Sequence, residues 1–234
     1  MRRVVASELL DTLPLGDPQA VGSRADLRRL NFLMGHAGFL TRAFRCQHEA
    51  NPFQSRPLRL VELGAGDGSL LLRLARRWSV LGVTAEVTLL DRQNLVSAET
   101  RRAFAALNWS VECVESDVFD WLNSPAPIVD VMLANLFLHH FPDERLAALL
   151  RLAAARTNLF LICEPRRSPL ALTAARSLAL LGCNAVTRHD AVVSVRAGFA
   201  GLELSALWPK PKEWELNEKS VGLFSHGFFA QRNV

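Results

Sequence analysis

Leu60-Val61-Glu62-Leu63-Gly64-Ala65-Gly66-Asp67-Gly68 decides how this chain folds. The apolar run Leu58 to Leu63 ends in three glycines at alternate positions, and a helical pattern starts at Ser69 and continues to Trp78. That order predicts a strand, a tight turn and a helix. Glycine has no Cβ, so the backbone turns sharply there and approaches a ligand closely. The spacing is neither G-x-G-x-x-G nor the Walker pattern. No Gly-Lys-Ser/Thr follows, so the turn is not built to cradle a pyrophosphate or a triphosphate.

Outward from this turn, strands are expected near 58–63, 86–90, 110–114, 128–134, 158–163, 202–207 and 222–231. Helices are expected near 69–78, 95–107, 143–155, 168–181 and 190–197, the last with Asp190 as its cap. The alternation predicts an α/β fold with a doubly wound, seven-stranded, mostly parallel sheet. In such sheets a ligand sits outside the C-terminal strand ends, where the strand order reverses. The glycine turn, Asp91, Asp117 and Asn135 all fall at such ends. Residues 1–50 read as helical, with Pro14, Gly16 and Pro18 breaking a first helix from a second, and 51–57 read as a linker. Residues 1–56 are therefore expected to form an N-terminal helical cap on a core of 57–234. Trp208 to Lys219, with two Pro-Lys pairs and two tryptophans, reads as an exposed, partly rigid loop: a lid, an interaction surface or a decorated hairpin.

At 234 residues, half of them hydrophobic and 21% charged, the chain suits one globular domain. Its net charge of +4 is spread over many arginines and forms no concentrated basic stripe. Arg24, Arg28 and Arg29 are the densest group, read first as a solvated helix face and second as an RNA or anionic-substrate patch. Glu8 breaks the first apolar stretch, so no secretion signal is expected, and no uncharged apolar window is long enough for a membrane span. Cys46, Cys113, Cys163 and Cys183 make no C-x-x-C pair and no zinc pattern, and H-E-x-x-H is absent. The expectation is a metal-independent protein in a reducing cytoplasm.

Glu62-x-Gly64-x-Gly66-x-Gly68 resembles the first motif of the class I S-adenosylmethionine-dependent methyltransferases. Three further elements keep that family's order from about residue 57 to 166: Asp91 ending a strand, Asp117 after the next, and Asn135-Leu-Phe-Leu-His139-His140 after the fourth. The resemblance implies S-adenosylmethionine (SAM) as cofactor. Glu62 is expected near its amino group, and Gly64, Ala65, Gly66 and Gly68 beneath its methionine part. Asp91, with Arg92 beside it, is expected at the ribose, Asp117 and the backbone of Val118 at the adenine, and Asn135 on the adjoining wall. It also implies an antiparallel last pair of strands. His139 and His140 follow the fourth strand beside the expected methyl group, either as a general base, with His139 preferred, or as pocket shapers. Glu164, Arg166 and His189 are candidate acceptor-binding residues. The expected function is methyl transfer to a small-molecule oxygen, phenolic, quinone-precursor or polyketide-like. The alternatives are an RNA or protein methyltransferase and a non-catalytic SAM-binding protein. Ala134-Asn135-Leu136-Phe137 lacks the two prolines that enzymes acting on base amines carry there, which disfavours a nucleic-acid target. A membrane partner is not expected, and a monomer or a homodimer is.

Overall fold

The computed structural model describes residues 1–50, 57–125 and 127–233. Most of the expected linker, 51–56, lies outside the described residues. The chain runs through α1 (Pro18–Leu33), α2 (His36–Ala50), β1 (Leu58–Leu63), α3 (Ser69–Trp78), β2 (Ala85–Asp91), α4 (Ala98–Ala105), β3 (Ser110–Glu115) and α5 (Val118–Asn123). It continues through β4 (Val129–Asn135), α6 (Asp143–Arg156), β5 (Thr157–Pro165), α7 (Pro169–Arg176), α8 (Ala185–Ala197), α9 (Glu203–Leu207), β6 (Trp214–Val221) and β7 (Ser225–Arg232). The strands form one seven-stranded sheet in the order β3-β2-β1-β4-β5-β7-β6. The first five in that row are parallel, and β7 is antiparallel to both β5 and β6. The order reverses between β1 and β4, so the crevice for a ligand opens above their C-terminal ends.

Helices cover both faces, which is why the central strands are apolar nearly throughout. Leu60, Val87, Val131 and Leu159 point to a face packed by α2, α3 and α4, where Phe44 of α2 stacks on Trp78 of α3 at 3.8 Å. Their neighbours Val61, Leu90, Met132 and Phe160 point to the other face, packed by α5, α6 and α9. Among the described residues, no helix is long and apolar enough to cross a membrane.

Four local expectations are corrected. Residues 202–207 are not a strand: 203–207 form α9. Leu202-Glu-Leu-Ser-Ala-Leu207 has the alternation of a strand, but the Glu218 carboxylate accepts from the amides of Leu204 (3.0 Å) and Ser205 (2.7 Å) and secures a first helical turn. Only 210–213 of the 208–219 segment is an exposed turn. Trp208 and Trp214 are buried edge to face at 5.0 Å, Arg232 covers Trp214, and β6 begins at Trp214. The hairpin turn comes instead just before β7, with Gly222 at φ 60°. Helix α8 starts five residues earlier than expected, at Ala185. Asn184 caps it by accepting from the Thr187 amide, so Asp190 is not a cap. Finally, residues before Pro14 form no helix. Asp17 caps α1 with Pro18 at its first position, and the chain ahead of it is an irregular strap across the C-terminal strand ends.

Candidate active site

The glycine turn occupies the crevice. Gly64, Gly66 and Gly68 all have φ between 56° and 72°, which costs an L side chain about 1–2 kcal/mol. At Gly64 a Cβ would stand 2.3 Å from the Phe137 ring, so contact as well as conformation requires glycine. The turn is fastened to the end of β2: Ala65 donates to the Leu90 carbonyl at 3.0 Å, and Gly66 donates to Asp91 Oδ2 at 2.8 Å. The other Asp91 oxygen accepts from Gln93, which leaves further lone pairs on this carboxylate.

Beside the turn lies a cavity of about 880 Å³, towards the upper end of the roughly 300–1,000 Å³ usual for small-molecule sites. Its wall includes Glu62, Gly64, Ala65 and Gly66, then Asp91 and Arg92, then Asp117 and Val118, and finally Asn135 and His140. Elements far apart in sequence thus line one cavity. Gly68 is not on the wall. A Cβ there would come within 2.9 Å of Leu89, so this glycine lets α3 pack on β2. Glu62 is 3% exposed, and its Oε2 has no hydrogen-bond partner among the described residues; Asn135 Oδ1 is likewise buried and unpartnered. Burial, with Asp67 and Asp91 nearby, pushes the Glu62 carboxyl well above its ordinary range. A cationic ligand group beside it would satisfy both the lone pair and the charge. Asp117 spends one oxygen on the Phe119 amide, capping α5 at 2.8 Å.

The two histidines part company in the short turn Leu138–His140. His139 points away from the cavity and is 3% exposed. Its Nδ1 is 2.7 Å from Glu164 Oε2, and its Nε2 is 3.3 Å from Glu8 Oε1. Burial alone would lower its pKa, but the hydrogen bonds and charges of Glu164 and Glu8 raise it to about 9. At neutral pH both nitrogens therefore donate, and His139 has no lone pair with which to take a proton. This corrects the preference for His139 as base. His140 is on the wall, with Nδ1 3.5 Å from Asp11 Oδ2. Burial first, and then the positive charge of His139, hold its pKa below the ordinary imidazole value. It is neutral at pH 7 and able to accept a proton.

Three acceptor candidates also lie off the wall. Glu164 is fully buried, and its Oε1 accepts from the amides of Phe137 (2.9 Å) and Leu138 (2.8 Å), so it shapes the turn from behind. Arg166 bridges by its backbone to Phe199 and Phe224. His189 is half exposed on α8, with Nδ1 2.8 Å from Asp190. Asp190 instead accepts from the amides of Leu9 and Leu10 at 2.8 and 2.9 Å, and so holds the strap.

The strap completes the site, and sequence reasoning missed it. Val5, Ser7, Leu10 and Asp11 line the cavity, while Glu8 faces inward to His139 and Ser194. The available signal was Glu8 and Asp11, acids within a short apolar stretch. Leu136, the non-glycine residue at φ 52° beside Asn135, is a second wall residue whose strain only the structure shows. Glu8, His139 and His140 offer ligand atoms within 4.8 Å of one another, but His139 already directs both nitrogens at carboxylates.

Residues 60–158 match a family model described as a methyltransferase domain. Over that segment the chain is similar to the class I S-adenosylmethionine-dependent methyltransferases. Within the methyltransferases, it is 32% identical over 88 residues to a trans-aconitate 2-methyltransferase of Mycolicibacterium gilvum, a match covering 38% of this chain and 30% of that protein. The chain thus matches about a third of the length of such curated relatives. Among solved structures, the plantazolicin methyltransferase BpumL in complex with SAH superposes with a TM-score of 0.65 at 16% identity, over 94% of this chain and 92% of that one. The mitomycin 7-O-methyltransferase MmcR gives 0.60 at 19% identity, over 97% and 61%. These likenesses show the fold alone.

Proposed function

We propose that the protein transfers a methyl group from SAM to an oxygen of a small organic acceptor, of phenolic, quinone-precursor or polyketide-like character. The observation that carries this reading is the buried Glu62 carboxyl, its Oε2 unpartnered, beside a glycine turn pinned to Asp91, on the wall of a cavity that His140 also lines. When bound, SAM supplies a methyl group on a sulfonium sulfur. Glu62 and Asn135 would hold its amino-acid end with the backbone of Gly64 to Gly66, Asp91 with Arg92 would hold the ribose, and Asp117 and Val118 the adenine. Pre-positioning of this kind lowers a displacement barrier by up to about 7–11 kcal/mol. His140, with Nδ1 turned to Asp11, takes the acceptor's hydroxyl proton at Nε2. The strap and Phe137 keep water from the reacting oxygen. Glu164 and His139 are positioning residues that set the Leu138–His140 turn.

The test is methyl-labelled SAM incubated with the protein and a cell extract, followed by separation into organic-soluble, RNA, DNA and protein fractions. Label in the organic-soluble fraction is the expected result, and label confined to a macromolecule would sink the small-molecule reading. His140→Ala is expected to lower kcat about 10²–10⁴-fold at saturating SAM, with SAM affinity unchanged. Undiminished turnover would remove His140 as the base. Transfer is also expected to be metal-independent. Dialysis against a chelator should leave turnover within twofold, whereas loss restored by one divalent metal would reassign Glu8, His139 and His140 as ligands.

A further inference from the structure

One helix of the cavity wall carries a pair of cations that methyl transfer alone does not require. Helix α1 lines it with Arg24, Leu27, Arg28 and Asn31, the i, i+3, i+4, i+7 spacing of a single helix face. The opposite side of α1 is committed elsewhere, with Ser23 and Asp26 bonded to Thr187 of α8. The arginine stripe is therefore fixed in its orientation by packing. Two further guanidiniums, Arg92 and Arg145 of α6, also line the cavity.

These cations are poorly neutralised. Arg24 gives Nη1 to the Leu15 carbonyl at 2.9 Å, a neutral acceptor. Arg145 lies over the Phe119 ring at 4.5 Å. Arg28 has an acidic partner, Asp67, at 3.1 Å, with its side chain half exposed. Each guanidinium carries five donors, so most remain unspent. At the end of the stripe the Asn31 amide has a buried terminal atom with no partner, and an amide offers an acceptor or, turned over, a donor. Asp11 stands at His140, and Glu62, Asp67, Asp91 and Asp117 are the other acids of the wall. Two of the wall's cations thus share one face of α1, and only one of those two has an acidic partner.

We propose that the acceptor is an organic carboxylate, its anionic group seated on Arg24 and Arg28 and its methylated oxygen at His140. This rests on the methyltransferase reading above. Paired, fork-shaped guanidinium donors suit a planar carboxylate, and their fixed position makes them specificity-determining residues. The one other carboxylate the stripe could serve is that of SAM itself, and affinity measurements separate the two.

The experiment uses the full chain and a small-molecule extract split on a strong anion exchanger at pH 7, each fraction being assayed with methyl-labelled SAM. Acceptor activity is expected in the retained, anionic fraction, with a KM that rises with added NaCl. Arg24→Gln and Arg28→Gln, assayed on that fraction, should each raise the acceptor KM about tenfold or more, with kcat and SAM Kd within twofold. Activity only in the flow-through, or an unmoved KM, overturns the proposal and leaves methyl transfer standing. A raised SAM Kd instead reassigns the stripe to the cofactor's carboxylate and overturns it as well. Label in no fraction, with SAM still bound, overturns the methyltransferase reading and this one with it.

Discussion

Gly64→Val is expected to weaken SAM binding on the order of 10²-fold while the sheet stays folded. Two effects add at this position. A β-branched residue at φ 67° is strained by roughly 1–3 kcal/mol, and its Cβ, 2.3 Å from Phe137, must push that ring out of place at a similar cost. The ring cannot retreat freely, because the Phe137 amide is fixed to Glu164 and the ring packs edge on against Phe141 at 5.2 Å. The turn moves instead, carrying Gly66 away from Asp91. Calorimetric titration with SAM, alongside circular dichroism, checks the outcome. Binding at wild-type strength by a folded Gly64→Val protein would show that the turn is not the cofactor's floor.

The second large effect is on stability. Glu164→Ala is expected to cost about 3–5 kcal/mol, because it strips one carboxylate from a buried imidazolium and leaves two amides of the Leu138 turn without an acceptor. Urea unfolding at pH 7 measures it, and a change below about 1 kcal/mol would show that the pair contributes little. The pH profile gives an independent reading. The folded pKa of His139, about 9, lies above its unfolded value near 6.5. The stabilisation is therefore complete below about pH 6.5 and is lost as the pH rises through 9. On the acid side, burial pushes the Glu8 carboxyl up, but the hydrogen bond and charge of His139 more than offset this and hold it below its ordinary value. Its contribution is present above about pH 4.5 and is lost on acidification below that. The unfolding midpoint of the wild type should fall between pH 7 and 9, and Glu164→Ala should flatten that slope.

What could be read in the sequence follows from how far each interaction reaches along the chain. The glycine turn, Asp91, Asp117 and the parallel strands are local: an apolar run, a turn residue and a strand end suffice to place them. The two histidines were found as a pair, but not their division of labour. Adjacent residues diverge in a tight turn, and only the groups around them decide which carries a proton at neutral pH. One of those carboxylates, Glu8, lies 131 residues from His139, and no periodicity reports such a contact. Arg24 and Arg28 were noticed as charge, yet their orientation depends on α8 packing behind them. Trp208 and Trp214 were misplaced on the surface because Pro-Lys pairs signal a turn, whereas the burial of the tryptophans is decided by β7 and Arg232.

The strap has a consequence for how the molecule comes into being. Its residues leave the ribosome early, but the partners that hold it are made late: Leu9 waits for Asp190, 181 residues on. A nascent chain can form β1, the glycine turn and β2 long before α8 exists. Closing so long a loop is entropically costly, so folding should end, not begin, with this step. The half-synthesised protein should therefore have an open cleft beside its glycine turn, roofed only when α8 has docked.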